Sequence, residues 1–309
     1  MKYCLYEYSN SDNLGDEVQS IAAKRFLPTV DYFVDRDNWD SSNIKEPARL
    51  IANGWYTHNT ETWLPSNEFI SPLFISFHIT PKARPVFEKK ETLEFLQRHG
   101  PIGCRDFETK EFLLARGVDA YFSGCLTLTL QTRDIPSKHN ATVFMDIPDR
   151  LVSKMPTKLL EQQLTVKQYY DKALLLLQKV DNKLGTSLAR NIGFKRAQKL
   201  LDTYKGASLV ITQRLHCALP CTAIGTPVVF LVPHYNDARY KGLISLTNHM
   251  SYEEFLENPS SILELDNRDA GKAKLLGEKL SAICSKFIAD GTKPECIDLM
   301  VESGAIKSE

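Results

Sequence analysis

The sequence predicts an α/β protein with parallel sheet, in two halves of similar size that face a cleft. Three observations carry this expectation. Leu209–Thr212 and Val228–Val232 are continuous apolar runs, the pattern of strands covered on both faces in a parallel sheet. Between them lies a short helical stretch ended by Gly225, so the unit reads strand, helix, strand. The same alternation recurs from the N-terminus onward. It is broken once, at 131–141, where Pro, Ser, Lys and Asn mark a linker.

Taken in order, residues 3–8 form a first strand that runs into the polar loop 9–16. A helix follows, with Val18, Ile21, Ala22 and Phe26 on one face and Asp16 placed to cap it. Short strands are expected near 49–52 and 73–77. Pro101-Ile-Gly-Cys104 leads into Arg105-Asp106 and a helix over 107–116, closed by Gly117, and 118–122 is the next strand. In the second half, 142–147 opens as a strand and helices are expected near 159–182 and 194–205. The latter carries Phe194, Ala197, Leu200, Leu201 and Tyr204 at helical spacing. After the 209–232 unit, Ser251-Tyr-Glu-Glu254 is a capping-box start. Residues 271–289 form a closing amphipathic helix, and the tail past Ala305 is frayed. The halves are then 1–131 and 142–309.

Bulk properties narrow the function classes. Lys+Arg and Asp+Glu both number 38 in 309 residues, so no basic excess draws the chain to nucleic acid or anionic membrane. The N-terminus lacks a signal-peptide core, and no apolar run reaches membrane-spanning length. Seven cysteines lie scattered at 4, 104, 125, 217, 221, 284 and 296; they read as small buried thiols of a reducing compartment, the cytoplasm. Asn140-Ala-Thr fits a glycosylation sequon, discounted without a secretion signal. Cys217 and Cys221 beside His216 lack a second ligand pair, so no metal is expected. No Gly-x-Gly-x-x-Gly or Walker-type sequence occurs.

Arg214, Leu215 and His216 fall at the carboxyl end of the 209–212 strand, where open α/β sheets bind ligands. If that turn is extended, Arg214 and His216 share one side. A fixed cation and a proton-transfer group then meet beside a helix N-terminus, which itself favours anions. The expected ligand is a phosphorylated or carboxylated small molecule.

Three separated motifs add a resemblance: Asn13-Leu-Gly-Asp16, the stretch from Arg105-Asp106 to Gly117-Val118, and 207–231 with Arg214-Leu-His216 and Gly225-Thr-Pro227. Together, and in this order, they resemble the polysaccharide pyruvyl transferase family over roughly residues 1–245. Asp237-Ala-Arg-Tyr-Lys-Gly-Leu243 is similar to a downstream family segment, with Arg239 where a Lys is usual. Ser123-Gly-Cys125 departs from the family's Asp-Pro pair, and 51–56 and 75–79 are also atypical.

The resemblance implies a GT-B-like fold, with two Rossmann-like domains facing a central cleft. Residues 1–131 would hold the acceptor, and 142–309, with the closing helix, the donor. The implied activity moves a pyruvyl group from phosphoenolpyruvate to sugar hydroxyls of a glycan or its precursor, usually as a ketal. Phosphoenolpyruvate is then a co-substrate and no cofactor is needed. The acceptor would be a sugar, an oligosaccharide or a lipid-linked glycan.

Arg214 and Arg105, with Leu215, would hold the phosphate and carboxylate, since guanidinium matches both bidentately. Arg239 would supplement them. His216 would act as acid/base or hydrogen-bond the phosphate, and Asp16 would face it as base or acceptor ligand. Asn53, Trp55 and His78 are the acceptor-site candidates. Structural roles stand beside these: Asp16 as a plain cap, Arg105-Asp106 as an ion pair plus cap, and the aromatics as core. Two other functions stay open. One is a sugar-nucleotide glycosyltransferase of the same fold, disfavoured because 214–235 contains no Asp or Glu. The other is a non-catalytic module binding a phosphosugar or glycan.

Overall fold

The computed structural model describes residues 1–299 apart from 10, 60, 62, 132–140, 171–175, 177–182 and 265–269. Its strands form two sheets, and every pairing is parallel. The first contains β1 (Lys2–Glu7), β2 (Tyr32–Asp35), β3 (Ala48–Tyr56), β4 (Ile70–Ile79), β5 (Ile102–Cys104) and β6 (Ala120–Phe122), in the order β2-β1-β3-β4-β5-β6. The second contains β7 (Thr142–Met145), β8 (Gln163–Val166), β9 (Leu209–Thr212), β10 (Val228–Val232) and β11 (His249–Ser251), in the order β11-β10-β9-β7-β8. All five residues of β10 are buried, as its unbroken apolar run requires.

The chain is α/β, and the central motif folds as read. The helix Leu215–Ile224 separates β9 from β10 and ends at Gly225, which takes the left-handed φ of 79° that glycine tolerates without strain. Ser251 and Glu254 make the reciprocal cap, and the closing helix is Ala270–Asp290. Residues 49–52 lie in the first half of the longer β3 and 73–77 in the middle of β4, and the two strands are joined across a bulge at Ala52/Gly54. The 107–116 expectation shortens to Phe107–Leu114, capped by Asp106, and 194–205 is the second half of Lys183–Gly206.

Several expectations change. Of the helix expected near 159–182, the part up to residue 170 instead holds the helical turn Thr157–Leu160 and then β8. Leu164, Thr165 and Val166 pair with the edge of β7, and the β-branched side chains favour that pairing over a helix. Much of 171–182, the linker at 132–140 and the C-terminal tail lie outside the described residues. Asp16 is not the cap of its helix. That helix is Leu14–Lys24, and Asn13 caps it by accepting from the Gly15 amide. The strands β2 and β11, of four and three residues, are too short to carry a pattern, whereas the helix Lys90–His99, which buries Thr92, Phe95 and Leu96 on one face, is a further element beyond the sequence expectation.

One apolar core joins the sheets. It runs from Val18 and Ala22 through Phe122, Leu126 and Leu128 to Val143, Val210 and Phe230, and takes in Leu276, Leu280 and Phe287 of the closing helix. A second, aromatic core covers the other face of the first sheet with Trp39, Trp63, Phe74, Phe77 and Phe95. The chain end returns to the first sheet: Arg49 Nη1 donates to Ile288 O at 2.7 Å, and Phe122 N donates to Asp298 Oδ1 at 2.5 Å. Six of the seven cysteines are buried free thiols, and Cys296 is exposed. No helix among the described residues is long and apolar enough to cross a membrane.

Candidate active site

The carboxyl ends of strands from both sheets meet at an open cleft of about 1080 Å³, counting the solvent in its mouth. Parallel α/β sheets place ligands at this end because loops and helix N-termini gather there. Three helices begin at the rim, at Leu14, Phe107 and Leu215. Arg105, Arg214, Arg239, His78 and His216 all line the cleft.

On the second-sheet wall, Arg214 is extended (φ −105°, ψ 121°), but the helix starts at the next residue. The turn is therefore not extended through His216; the helix start, rather than strand alternation, brings both side chains to the cleft. Arg214 offers the helix no side-chain cap, which leaves the first-turn amides of Leu215 and His216 available to a ligand. The Arg214 Nε donates to Asp146 Oδ2 at 2.9 Å, and its guanidinium lies 4.7 Å from the centre of the Tyr169 ring. Asp146 follows β7 with a left-handed φ of 53°, a conformation that Asp adopts more readily than most residues. Its backbone oxygen accepts from Gln213, and its carboxylate from the Gln168 amide.

His216 connects the two walls. Its Nε2 lies 3.0 Å from Arg105 Nη1. Burial first, then the positive charge of Arg105, holds its pKa well below the ordinary histidine value. The ring is neutral, and Nε2 accepts from the guanidinium. His216 also packs on Gly15, where an added Cβ would lie 2.2 Å from Gln168 Nε2 and 3.1 Å from His216 Cβ. The glycine of the Asn13-Leu-Gly-Asp16 motif is there because two walls close on it.

Arg105 follows β5 and is only 2% exposed. It forms no ion pair among the described residues, and its buried Nε has no hydrogen-bond partner there. Of the alternative reading, an Arg105–Asp106 ion pair plus cap, only the cap is found. Asp106 caps its helix through Oδ1, accepting from Thr109 N at 2.9 Å, and places Oδ2 2.5 Å from His78 Nδ1. Although burial opposes it, the His78 bond holds the Asp106 carboxyl below the usual range. His78 is itself shifted down, mainly by burial and then by Arg105.

Trp55 and His78 reach the cleft; Asn53 and Asp16 do not. Asn53 is fully buried, donating to Gln19 O at 3.1 Å. Asp16, with 0% exposure, lies beneath Trp55. Its Oδ1 accepts from Trp55 Nε1 at 3.1 Å, and its Oδ2 from Ser11 Oγ at 2.5 Å. The charge it faces is Arg36, buried between the rings of Tyr8 and Trp55 at 5.0 and 4.4 Å and paired with Asp16 at 3.5 Å and Asp37 at 3.1 Å. Arg239 lines the cleft, but its side chain is 56% exposed and Nε is held by both Asp237 oxygens at 2.9 and 3.0 Å.

Arg36, Asp146, Gln168, Tyr169 and His58 were not singled out by sequence reasoning. Asp146 alone had a signal: it ends a β-strand, as Arg214 does.

The sequence model of the family described as polysaccharide pyruvyl transferase matches residues 13–235. The chain belongs to this family. It is a transferase, and the family implies a polysaccharide acceptor. The match takes in Asn13, Gly15, Arg105, Asp106, Asp146, Arg214 and His216, so most of this transferase's cleft lies within it. No curated protein matches the chain. A solved structure of a functionally uncharacterized protein from Klebsiella pneumoniae is similar at 15% identity and a TM-score of 0.45, covering 81% of this chain and 92% of that one.

Proposed function

We propose that the cleft binds phosphoenolpyruvate and transfers its pyruvyl group to hydroxyls of a sugar acceptor, closing a ketal. The observation that carries this reading is Arg105: a buried guanidinium facing the cleft with no carboxylate partner among the described residues. An unpaired buried cation is costly, and a dianionic ligand would relieve it. Arg214 and the uncapped Leu215–Ile224 start supply a second anion position, suited to a ligand bearing both phosphate and carboxylate.

In this chemistry a proton adds to the methylene carbon, and a sugar hydroxyl attacks the adjacent carbon while losing its own proton. The C–O bond to phosphate breaks and inorganic phosphate leaves. A second hydroxyl then closes the ketal, so phosphoenolpyruvate and a diol give ketal and phosphate with nothing left over. His216 stands where it can meet the phosphate. A bound phosphate dianion would raise its depressed pKa and make it an acid at the moment one is needed.

We read the two parallel sheets and their shared cleft as a GT-B-like pair of Rossmann-like domains. Residues 1–131 are the acceptor side and 142–309 the donor side, with cytoplasmic residence and phosphoenolpyruvate as co-substrate. A glycosyltransferase would need a free carboxylate on the donor wall, whereas Asp146 and Asp237 are both occupied by arginines. The test is thermal stabilisation by phosphoenolpyruvate beside a panel of sugar nucleotides, with wild type and Arg105→Ala. A shift with phosphoenolpyruvate alone, lost in the variant, is expected. A shift with a sugar nucleotide alone would overturn the proposal.

A further inference from the structure

His78 and Asp106 form a pair that the donor chemistry does not use. We infer that His78, held in one tautomer by Asp106, is the base that takes the proton from the acceptor hydroxyl, with Trp55 as the platform beside it. The inference rests on the reading of the cleft as a pyruvyl-transfer site with a sugar acceptor.

Three placements carry it. First, Asp106 Oδ2 lies 2.5 Å from His78 Nδ1, and a carboxylate there requires the proton on Nδ1. Thr109 Oγ1 lies 3.4 Å from the same nitrogen. His78 lines the cleft, so Nε2 is the nitrogen left for a ligand, with no partner among the described residues. A carboxylate fixing one imidazole nitrogen so that the other can accept a proton is the arrangement of hydrolytic triads.

Second, Trp55 and His78 are direct partners on β3 and β4, so their side chains leave the sheet on the same face. Trp55 is fixed from below by Asp16 and Arg36 and flanked by His58 at 4.5 Å between ring centres. A pyranose ring stacked on a fixed indole places its rim hydroxyls beside the neighbouring strand, where His78 stands. Third, the charge around His78 suits a base. Burial first, then Arg105 and Arg239, keep it unprotonated at rest, Asp106 favours the imidazolium that forms once it takes a proton, and His216 across the cleft is neutral. The ring is unprotonated at neutral pH and ready to accept.

Asp106 is then a positioning residue with two functions, helix cap and tautomer lock, and one substitution separates them. In Asp106→Asn the amide oxygen can still accept from Thr109 N, because Asn caps as well as Asp. The amide nitrogen then faces His78 Nδ1 and forces the proton onto Nε2, so the ring no longer offers a lone pair to the acceptor.

The experiment measures phosphate release from phosphoenolpyruvate with a panel of methyl hexopyranosides, for wild type, Asp106→Asn and His78→Gln. Melting temperature and the phosphoenolpyruvate-induced thermal shift are recorded for each. The expected result is a fall in kcat of about 100-fold or more in both variants. The KM for phosphoenolpyruvate and the thermal shift should stay as in wild type. An Asp106→Asn chain with kcat near wild type would overturn the tautomer role. So would a loss of kcat accompanied by loss of the thermal shift, because Asp106 would then be serving the fold or the donor site. Wild type that shows no thermal shift with phosphoenolpyruvate and releases no phosphate with any sugar would fail earlier, at the donor reading, and this inference would fall with it.

Discussion

On the second-sheet wall of the cleft, Arg214, Leu215 and His216 are consecutive residues at the end of one strand. On the facing wall, Trp55 owes its position to Ser11, Asp16, Arg36 and Asp37, drawn from separate loops and a helix. The first wall needs little support, because a strand end and a helix start fix three residues at once. The second holds its aromatic face with a buried cation between two carboxylates. A local motif and a long-range charge cluster do the same mechanical task, and they should fail differently.

The largest difference is expected at Arg36. Its burial lowers its pKa, but Asp16 and Asp37 outweigh that and raise it above the ordinary arginine value. Arg36→Met would leave two carboxylates facing each other without a counter-charge. Removing one partner of a buried ion cluster costs about 3–5 kcal/mol. Arg36→Met is therefore expected to lose that much in urea-unfolding free energy, whereas Arg214→Met, half-exposed and paired once, should lose under about 1 kcal/mol. Equal losses would mean that the two walls are not built differently.

The next effect lies at the seam between the walls. Glu17, on the Leu14–Lys24 helix, accepts a hydrogen bond from Tyr170 OH, and across the same seam Leu14 N donates to Gln168 O at 2.8 Å and Tyr170 N to Asp12 O at 2.7 Å. Burial, opposed by the Tyr170 bond, raises the Glu17 pKa from its ordinary 4.5 to about 8. Because the folded value lies above the unfolded one, its stabilising effect is complete below pH 4.5 and is lost as pH rises to about 8. Glu17→Gln removes the titration and keeps an acceptor for Tyr170. The variant should melt with wild type at pH 4.5 and above it at pH 8, by up to a few kcal/mol. Thermal melts across that range check the sign; a gap that widens toward acid would contradict it.

The contrast between walls also decides what was legible in the sequence. Arg214-Leu-His216 could be read because strand, turn and helix are local patterns, and the strand boundaries at 209–212 and 228–232 coincide with the observed ones. The Asn13-Leu-Gly-Asp16 stretch stands out in the sequence, but the reason for its residues does not. Its glycine answers to Gln168 and His216, more than 150 residues away. Asp16 reads from sequence as a cap or a base because its burial under Trp55 depends on Arg36, which carries no local signature. β8 escapes a sequence reading because Gln163–Val166 is too short to show a period of its own and takes its conformation from pairing with β7. Spacing reveals what neighbours along the chain impose, and the rest of this cleft is imposed by neighbours in space.

The smallest effect, and the finest test of the second-sheet wall, concerns Asp146. It engages Arg214 only through Nε, so both terminal nitrogens remain for a ligand. Two consequences oppose each other. Asp146 aims the guanidinium, which favours donor binding, but its negative charge also competes with the donor's. Asp146→Asn keeps the left-handed turn, which Asn tolerates, and removes the charge. The salt bridge is partly exposed, so water screens the competing charge more than it replaces the lost alignment. Aim should therefore win, and KM for phosphoenolpyruvate is expected to rise by roughly tenfold, about 1.4 kcal/mol, with kcat changed less. A lower KM in the variant would show that Asp146 restrains donor affinity, and that even the local wall depends on a partner the motif does not contain.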